Sequence, residues 1–464
     1  MTGPEARFWN REVETMPREG LDRLQDRLLA HALARVWEGS PFYRRKFQGA
    51  GVDPREVRTR ADLHRLPTTT KSELVAEQLR APPFGDVPSA RPSEIATVVG
   101  TTGTTGLPIF VPLTAGDACE YCTPDSETWL RTLHSINYSE GRDVLQSAWN
   151  YGFWYFSASC LAFGRGRARP PHVITSIGRT EWQIELMRRL GTTIFFATQS
   201  YVLYAGERAR AMGIDPSSDL PVRSVVGGGE PGLLAIEGFR DRMRRAWGDG
   251  VDAFESAGAS EMGYLGQECW AHQGLHVPED YLLVEVLDLD SGEPVGPGER
   301  GELCVTHLQR EGMPLVRYRI GDVTVYEDGP CGCGRTHLRL QGIVGRTDDM
   351  VKVKGLKFFP AQVESVVECT EGCTGEFLIV VGKDQSEVLD TFTVRVEAGG
   401  QRGDVAARLE RDIRALTGIR PEIELVGPGT LVRSPHKAVR LLDLRKEGAE
   451  ERLKKRLEYA KRLD

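Results

Sequence analysis

The sequence has no apolar run of about 18 residues, the length a bilayer-crossing helix needs, so no membrane partner is expected. Its first stretch, MTGPEARFWNREVETM, is charged and lacks the short apolar core of a secretory signal. There is no excess of positive charge. Lys and Arg number 59 against 66 Asp and Glu, a net charge of -7, which argues against general nucleic-acid binding. Cysteine is sparse and odd in number, nine scattered over 464 residues, so a disulfide framework is not expected and a cytoplasmic location is. Aromatics make up only 8%. What remains is the composition of an ordinary globular chain, 40% hydrophobic and 27% charged, long enough for two or three domains.

The richest local signal is Val98–Pro112, VVGTTGTTGLPIFVP. Two strand-like runs flank Thr101, Thr102, Gly103, Thr104, Thr105 and Gly106. Glycines let the backbone turn tightly, successive N–H groups make an anion-binding concavity, and threonine hydroxyls add donors. The loop suits a polyphosphate, or is a plain Thr/Gly hairpin. It is not a Walker loop, because no Gly-Lys-Ser/Thr follows.

Before this loop, Leu21, Leu24, Leu28, Leu29, Ala32 and Leu33 recur at helical spacing, and Pro41 is expected to end that segment. Thr70 or Ser72 is the expected N-cap of a helix in LPTTTKSELV. After it, Trp149, Tyr151, Phe153, Trp154, Tyr155 and Phe156 form a dense aromatic stretch, either core or the wall of a flat apolar pocket. From His172 strands alternate with helices, which means a mostly parallel sheet with ligands at the carboxyl ends of its strands. Three such ends carry chemistry: Gln199-Ser200, Gly227 to Pro231, and Ala257 to Glu261, where Glu261 could hold magnesium on phosphates. Residues 281–326 read as a β-meander, with Asp322 just beyond a strand as either a ribose ligand or a turn-former. A new α+β pattern starts near Asp348, and Leu444–Asp464 reads as a solvated helix.

Cys331 and Cys333 share a glycine-rich turn, and Cys269 and His276 lie seven positions apart. Together they would make a closed tetrahedral zinc site, structural by type, with His272 and His337 as competing ligands. The other reading is free surface thiols.

TTGTTGLP, GGGEP, AGASEMG, RYRIGD, GRTDDMVKVKG and RSPHKAVR stand in the order found in adenylate-forming enzymes. MPLVRYRIGDVT and CGCGRTHLRLQGIVGRTDDMVKVKGLKFFPAQVE resemble the phenylacetate–CoA ligase branch in particular. The resemblance implies an α/β fold. A large N-terminal domain, residues 1–347 with a helical lead-in over 1–60, would combine βαβ layers with a β-rich subdomain. A small mobile α+β domain, residues 348–464, would carry the catalytic lysine. Thr101 to Gly106 would hold ATP phosphates, Gly228, Gly229, Glu230 and Pro231 would border adenine, and Ser260 and Glu261 would meet phosphates and Mg2+. Asp322 and Arg346 would bind near the ribose. Asp348 would be the hinge, Lys437 the catalytic lysine, and Lys354 and Gly355 the coenzyme A path. Trp149, Tyr151, Phe153, Ser200, Gly227, Ala257 and Gly258 would line the acid pocket.

The implied reaction forms an acyl-adenylate from an aryl acid and ATP, then an aryl-CoA thioester, AMP and pyrophosphate. An amine or a carrier-protein thiol is the alternative acceptor, a homodimer is the implied assembly, and some members of the branch carry the zinc site. Two positions depart from the pattern: Leu107 stands where the family's loop lysine usually is, and Ala257 where an aromatic usually is. They suggest a bulkier, substituted acid. They are also the only support for a third reading, a degenerate nucleotide-binding scaffold.

Overall fold

The computed structural model describes residues 7–101, 108–117, 127–149, 171–175, 178–383, 390–399, 404–431, 440–446, 448–451 and 454. The fold is mixed α/β and divides into two compact units, Met1–Ile174 with Phe254–Gln341, and Thr175–Ala253 with Gly342–Asp464. No helix among the described residues is long and apolar enough to cross a membrane.

After a single helical turn, Arg11–Glu14, comes helix Arg18–Gly39, whose Leu21, Leu29, Ala32, Leu33 and Val36 are buried, as their spacing predicts. Pro41 does not end the helical segment; it opens a second helix, Pro41–Gly49. Ser40 caps that helix by accepting from the Tyr43 N–H, and a proline in the first turn has no N–H to lose. Thr70 caps helix Lys71–Arg80, and Glu73 returns a bond to the Thr70 N–H at 2.8 Å, a capping box.

The β-rich part of this unit is antiparallel. Its strands run in the order Leu282–Leu287, Arg300–His307, Tyr318–Glu327, Arg339–Leu340, Leu275–His276, Gly263–Glu268 and Asp252–Ala259. Asp322 does not lie beyond a strand but within one. The pairing jumps from Val323 opposite Glu302 to Arg319 opposite Cys304, and Gly321 takes φ +87° inside this bulge. A bulge re-aims side chains without ending the strand.

In the second unit, strands Ile194–Thr198 and Ser224–Gly228 pair in parallel, with helices Thr180–Leu190, Gln199–Ala211 and Phe239–Trp247 before, between and after them, as the alternating pattern predicts. A four-stranded sheet follows, ordered Glu422–Val426, Asp390–Ala398, Cys373–Lys383 and Leu441–Asp443. Alternate residues Phe377, Ile379 and Val381, and Phe392, Val394 and Val396, meet Val363 and Val367 of helix Pro360–Cys369 and Leu409 and Ile413 of helix Val405–Thr417 in one core. The tail beyond residue 454 lies outside the described residues.

Candidate active site and a buried thiol–imidazole cluster

In the first unit, strands Ile95–Gly100 and Phe110–Thr114 form an antiparallel hairpin with Gly100 opposite Phe110. Thr101 closes its neck: its N–H donates to the Ile109 carbonyl at 3.1 Å, and its hydroxyl accepts from the Ile109 N–H at 2.9 Å. Thr102, Gly103, Thr104, Thr105, Gly106 and Leu107 lie outside the described residues, as do Tyr151, Phe153 and Lys437. Trp149 follows directly on strand Leu145–Ala148 and is half-buried.

Glu261 sits in the tight turn between strands Asp252–Ala259 and Gly263–Glu268, with Ser260 beside it. The register slips by one residue between Ala257 and Gly258, and Gly263 takes φ +89°, which lets three residues close the turn. Glu261 is buried, and the Tyr318 hydroxyl donates to its Oε1 at 3.1 Å. Arg310, fully buried, donates from Nη1 to the Glu261 carbonyl at 2.5 Å and from Nη2 to the Met262 carbonyl at 2.9 Å. His307 fixes the same turn. Its Nε2 bonds the Met262 carbonyl at 2.7 Å while Nδ1 accepts from the Leu315 N–H at 3.0 Å. Burial, together with the charge of Arg310, pushes His307 well below its ordinary value, so it stays neutral with the proton on Nε2.

Arg310, His307 and Tyr318 were not picked out in the sequence. Their partners lie 45 to 57 residues away along the chain, so no local spacing marks them.

In the second unit, Ser200 and Glu230 are brought together: the Ser200 N–H donates to Glu230 Oε1 at 2.6 Å. Gly227 and Gly228 end a wholly buried strand, and Gly229 turns away from it at φ +80°. Arg346 donates from Nε to Asp348 Oδ1 at 2.9 Å. Lys354 and Gly355 form the two-residue turn of the hairpin Val351–Val353 and Leu356–Phe358, both with positive φ, +49° and +85°. That is the backbone a tight right-twisted hairpin requires. The Lys354 N–H is tied to Asp390 Oδ2 at 3.2 Å.

The four residues expected as metal ligands converge in the first unit. Strand Leu275–His276 lies between Gly263–Glu268 and Arg339–Leu340, which carries His276 to the end of the strand leading into Cys269 and to the loop holding Cys331 and Cys333. The ligand atoms of Cys269, His276, Cys331 and Cys333 all lie within 4.8 Å of one another, and all four residues are buried. Cys269 Sγ is 3.7 Å from Cys331 Sγ, and Cys333 Sγ is 3.5 Å from His276 Nε2. Burial holds the imidazole below its ordinary value, leaving a neutral nitrogen with a lone pair. Hydrogen bonds from the Cys269 and Cys331 thiols, and then His276, hold Cys333 far below the usual thiol range. Arg335 Nη1 stands 3.6 Å from Cys333 Sγ, and its Nε donates to Glu14 Oε2 at 2.7 Å.

The competing histidines are used elsewhere. His272 Nδ1 is 3.1 Å from Glu268 Oε1, and His337 bonds the Val277 and Val13 carbonyls at 3.0 Å each.

Against this geometry, residues 44–309 match the AMP-binding enzyme family and residues 355–445 the AMP-binding enzyme C-terminal domain. The chain belongs to the AMP-binding enzyme family. Within it, the chain is 34% identical to the phenylacetate-coenzyme A ligase of Thermus thermophilus over 458 residues, which covers 94% of this chain and 99% of that one. It is 31% identical to the phenylacetate-coenzyme A ligase of Escherichia coli over 446 residues, 93% and 97% of the two chains. Among solved structures it resembles 2-hydroxyisobutyryl-CoA ligase in the postadenylation state, with TM-score 0.85 and 26% identity over 98% of this chain and 95% of that one. Against the same ligase in the thioesterification state the TM-score is 0.69, with 27% identity over 99% and 96%.

Proposed function

We propose that this protein activates an aryl carboxylic acid with ATP and transfers the acyl group to coenzyme A, releasing AMP and pyrophosphate. The observation that carries the reading is the end-to-end match to phenylacetate–coenzyme A ligases, over 93–94% of the chain. The buried, hydroxyl-anchored Glu261 supports it.

A carboxylate is a poor electrophile, so the first half-reaction makes it one: its oxygen attacks the α-phosphorus, and pyrophosphate leaves. Negative charge grows on the phosphoryl oxygens, and a cation already in place stabilises it without reorganising. Lys437 supplies that charge, and the loop from Thr101 to Gly106 holds the phosphates, Thr101 through its hydroxyl because its N–H closes the hairpin neck. Glu261 fits magnesium: it is a buried carboxylate with one oxygen fixed by Tyr318 and its backbone clamped by Arg310. Glu261 would hold Mg2+ with Ser260 nearby, and the ion would neutralise phosphate charge.

Gly228, Gly229, Glu230 and Pro231 border adenine, while Asp322, re-aimed by its bulge, and Arg346 hold the ribose. The acid lies against Trp149, Tyr151, Phe153, Ser200, Gly227, Ala257 and Gly258. In the second half-reaction the coenzyme A thiolate attacks the adenylate carbonyl and AMP leaves, with the segment from 348 turning about Asp348 and the thiol passing Lys354 and Gly355. The segments 1–347 and 348–464 are the two working domains of this reading.

Cys269, His276, Cys331 and Cys333 fit zinc by their donor set, three sulfurs and one imidazole in a closed buried group. His276 presents Nε2 to the Cys333 Sγ at 3.5 Å, the nitrogen that would face the ion. Arg335 offsets the surplus negative charge of three thiolates. The ion is structural, so no step of the reaction passes through it. A cytoplasmic homodimer completes the reading. Acid-dependent exchange of pyrophosphate into ATP, and an acyl-CoA mass on adding coenzyme A, test it together.

A further inference from the structure

Gln199 is the first residue of helix Gln199–Ala211, directly after the parallel strand Ile194–Thr198. It is fully buried, yet neither its Oε1 nor its Nε2 has a hydrogen-bond partner among the described residues. The hydroxyls of Thr198 and Ser200 on either side are also buried without one among the described residues. Three consecutive polar side chains at the carboxyl end of one strand therefore leave four polar atoms unsatisfied. Buried polar atoms are nearly always paired, and exceptions gather where a ligand completes the bonding.

The surroundings are shaped around this carboxamide. A Cβ on Gly227 would lie 2.2 Å from Gln199 Oε1, and one on Gly232 2.5 Å from its Cδ and 2.8 Å from its Nε2. A glycine at the end of strand Ser224–Gly228 and another in the loop after it leave room for a single amide. The Ser200 N–H is meanwhile fixed by Glu230 at 2.6 Å, so the backbone beside the amide is held in place.

We propose that Gln199 is a specificity-determining residue: it reads a neutral hydrogen-bonding substituent on the acid, a hydroxyl first of all. This rests on the aryl-acid reading, in which Ser200 and Gly227 line the acid pocket. A carboxamide both donates and accepts, and its unpaired neighbours are hydroxyls, so a group that also does both satisfies them without bringing a buried charge. A site built to pair a hydroxyl discriminates strongly against the analogue that lacks it, because its own polar groups then stay unpaired.

The test uses the full-length protein with ATP, Mg2+ and coenzyme A, and matched acids: hydroxyphenylacetic, methoxyphenylacetic and phenylacetic acid, with the corresponding benzoic acids. Wild-type kcat/KM, read from pyrophosphate release, is expected to favour a hydroxy acid over its unsubstituted and methoxy partners by about ten-fold or more. This arm needs no variant and so does not depend on one folding. In Gln199→Met the hydroxy acid should lose about ten- to a hundred-fold while the unsubstituted acid changes by less than about three-fold, with the KM for ATP and the melting temperature held.

Equal or better use of unsubstituted acids by the wild type overturns the inference while leaving acid activation standing. So does an equal loss on both acids in Gln199→Met, or a raised KM for ATP, which puts the amide at the nucleotide. If no aryl acid releases pyrophosphate with the wild type, the aryl-acid reading fails and this inference falls with it.

Discussion

His276 Nε2 lies 3.5 Å from the Sγ of Cys333, in a buried group whose other two donors, Cys269 and Cys331, are themselves 3.7 Å apart. Thiols and an imidazole gathered this closely and shut away from water are costly unless something binds them. Protein purified without added metal is predicted to hold about one zinc per chain by elemental analysis. Cys331→Ser or His276→Ala should abolish the zinc and cost more than about 2 kcal/mol in stability. Metal-free protein of unchanged melting temperature would contradict the site.

The Tyr318–Glu261 bond gives a graded prediction. Tyr318→Phe removes one hydrogen bond of 3.1 Å and should lower the rate of pyrophosphate exchange by about three- to ten-fold, with a higher Mg2+ requirement. Glu261→Gln removes the charge itself and should cost about a hundred-fold or more. Titrating exchange against Mg2+ separates the two, and an unchanged Mg2+ dependence in both variants would remove Glu261 from metal binding.

Arg131 and Asp280 make a two-pronged buried pair at 2.7 and 2.8 Å, and both side chains are 8% exposed. Burial raises the Asp280 carboxyl, but the Arg131 charge and its hydrogen bonds outweigh that and hold it below 3.8. The native state therefore binds this proton less readily than the unfolded chain does. The contribution is present above the unfolded value and is lost as pH falls through the lower native one. Asp280→Asn should cost about 2–3 kcal/mol near neutrality, because it strips the buried guanidinium of one of its two carboxylate partners and leaves it Glu127, and the deficit should shrink below about pH 3.8. Denaturant melts of both proteins across that range would show it.

Arg242 and Glu368 form a second pair, within the other unit, at 2.6 Å, with side chains 8% and 2% exposed. Here burial wins and raises Glu368 above its ordinary value against the pull of Arg242. The sign reverses: the native state binds the proton more tightly, so this group's contribution is full below 4.5 and declines as pH rises through its raised native value. In denaturant melts, Arg242→Met should destabilise by about 3–5 kcal/mol, and Arg242→Met with Glu368→Met by much less.

Much of this architecture was legible in the sequence because it is periodic. The leucine stripe of Arg18–Gly39, the alternation of strands and helices from His172 to Ala259 and the N-cap at Thr70, one of two candidates, all follow from local spacing. The meeting of Cys269, His276, Cys331 and Cys333 was legible too, from two thiols in one glycine-rich turn and a Cys–His pair elsewhere. Pro41 misled because proline both stops and starts helices, and Ser40, one residue earlier, decides which. Asp322 looked terminal because Gly321 resembles a turn, whereas pairing with Arg300–His307 carries the strand on past a bulge. Arg310 and His307 left no local mark, because what they clamp is set by tertiary contact. Gln199 stood at a strand end already singled out, but that its amide is unpaired is visible only in three dimensions.

Acid activation through an adenylate, followed by transfer to coenzyme A, is open to direct measurement. The most direct measurement is product analysis with ATP, Mg2+ and a panel of aryl acids, with and without coenzyme A, on wild type and Lys437→Ala. Acid-dependent pyrophosphate, AMP release that rises strongly with coenzyme A, an acyl-CoA mass, and loss of pyrophosphate exchange in the variant are expected. Pyrophosphate that appears with the acid but is indifferent to coenzyme A would send the acyl group to an amine or carrier thiol and rule out coenzyme A as the acceptor.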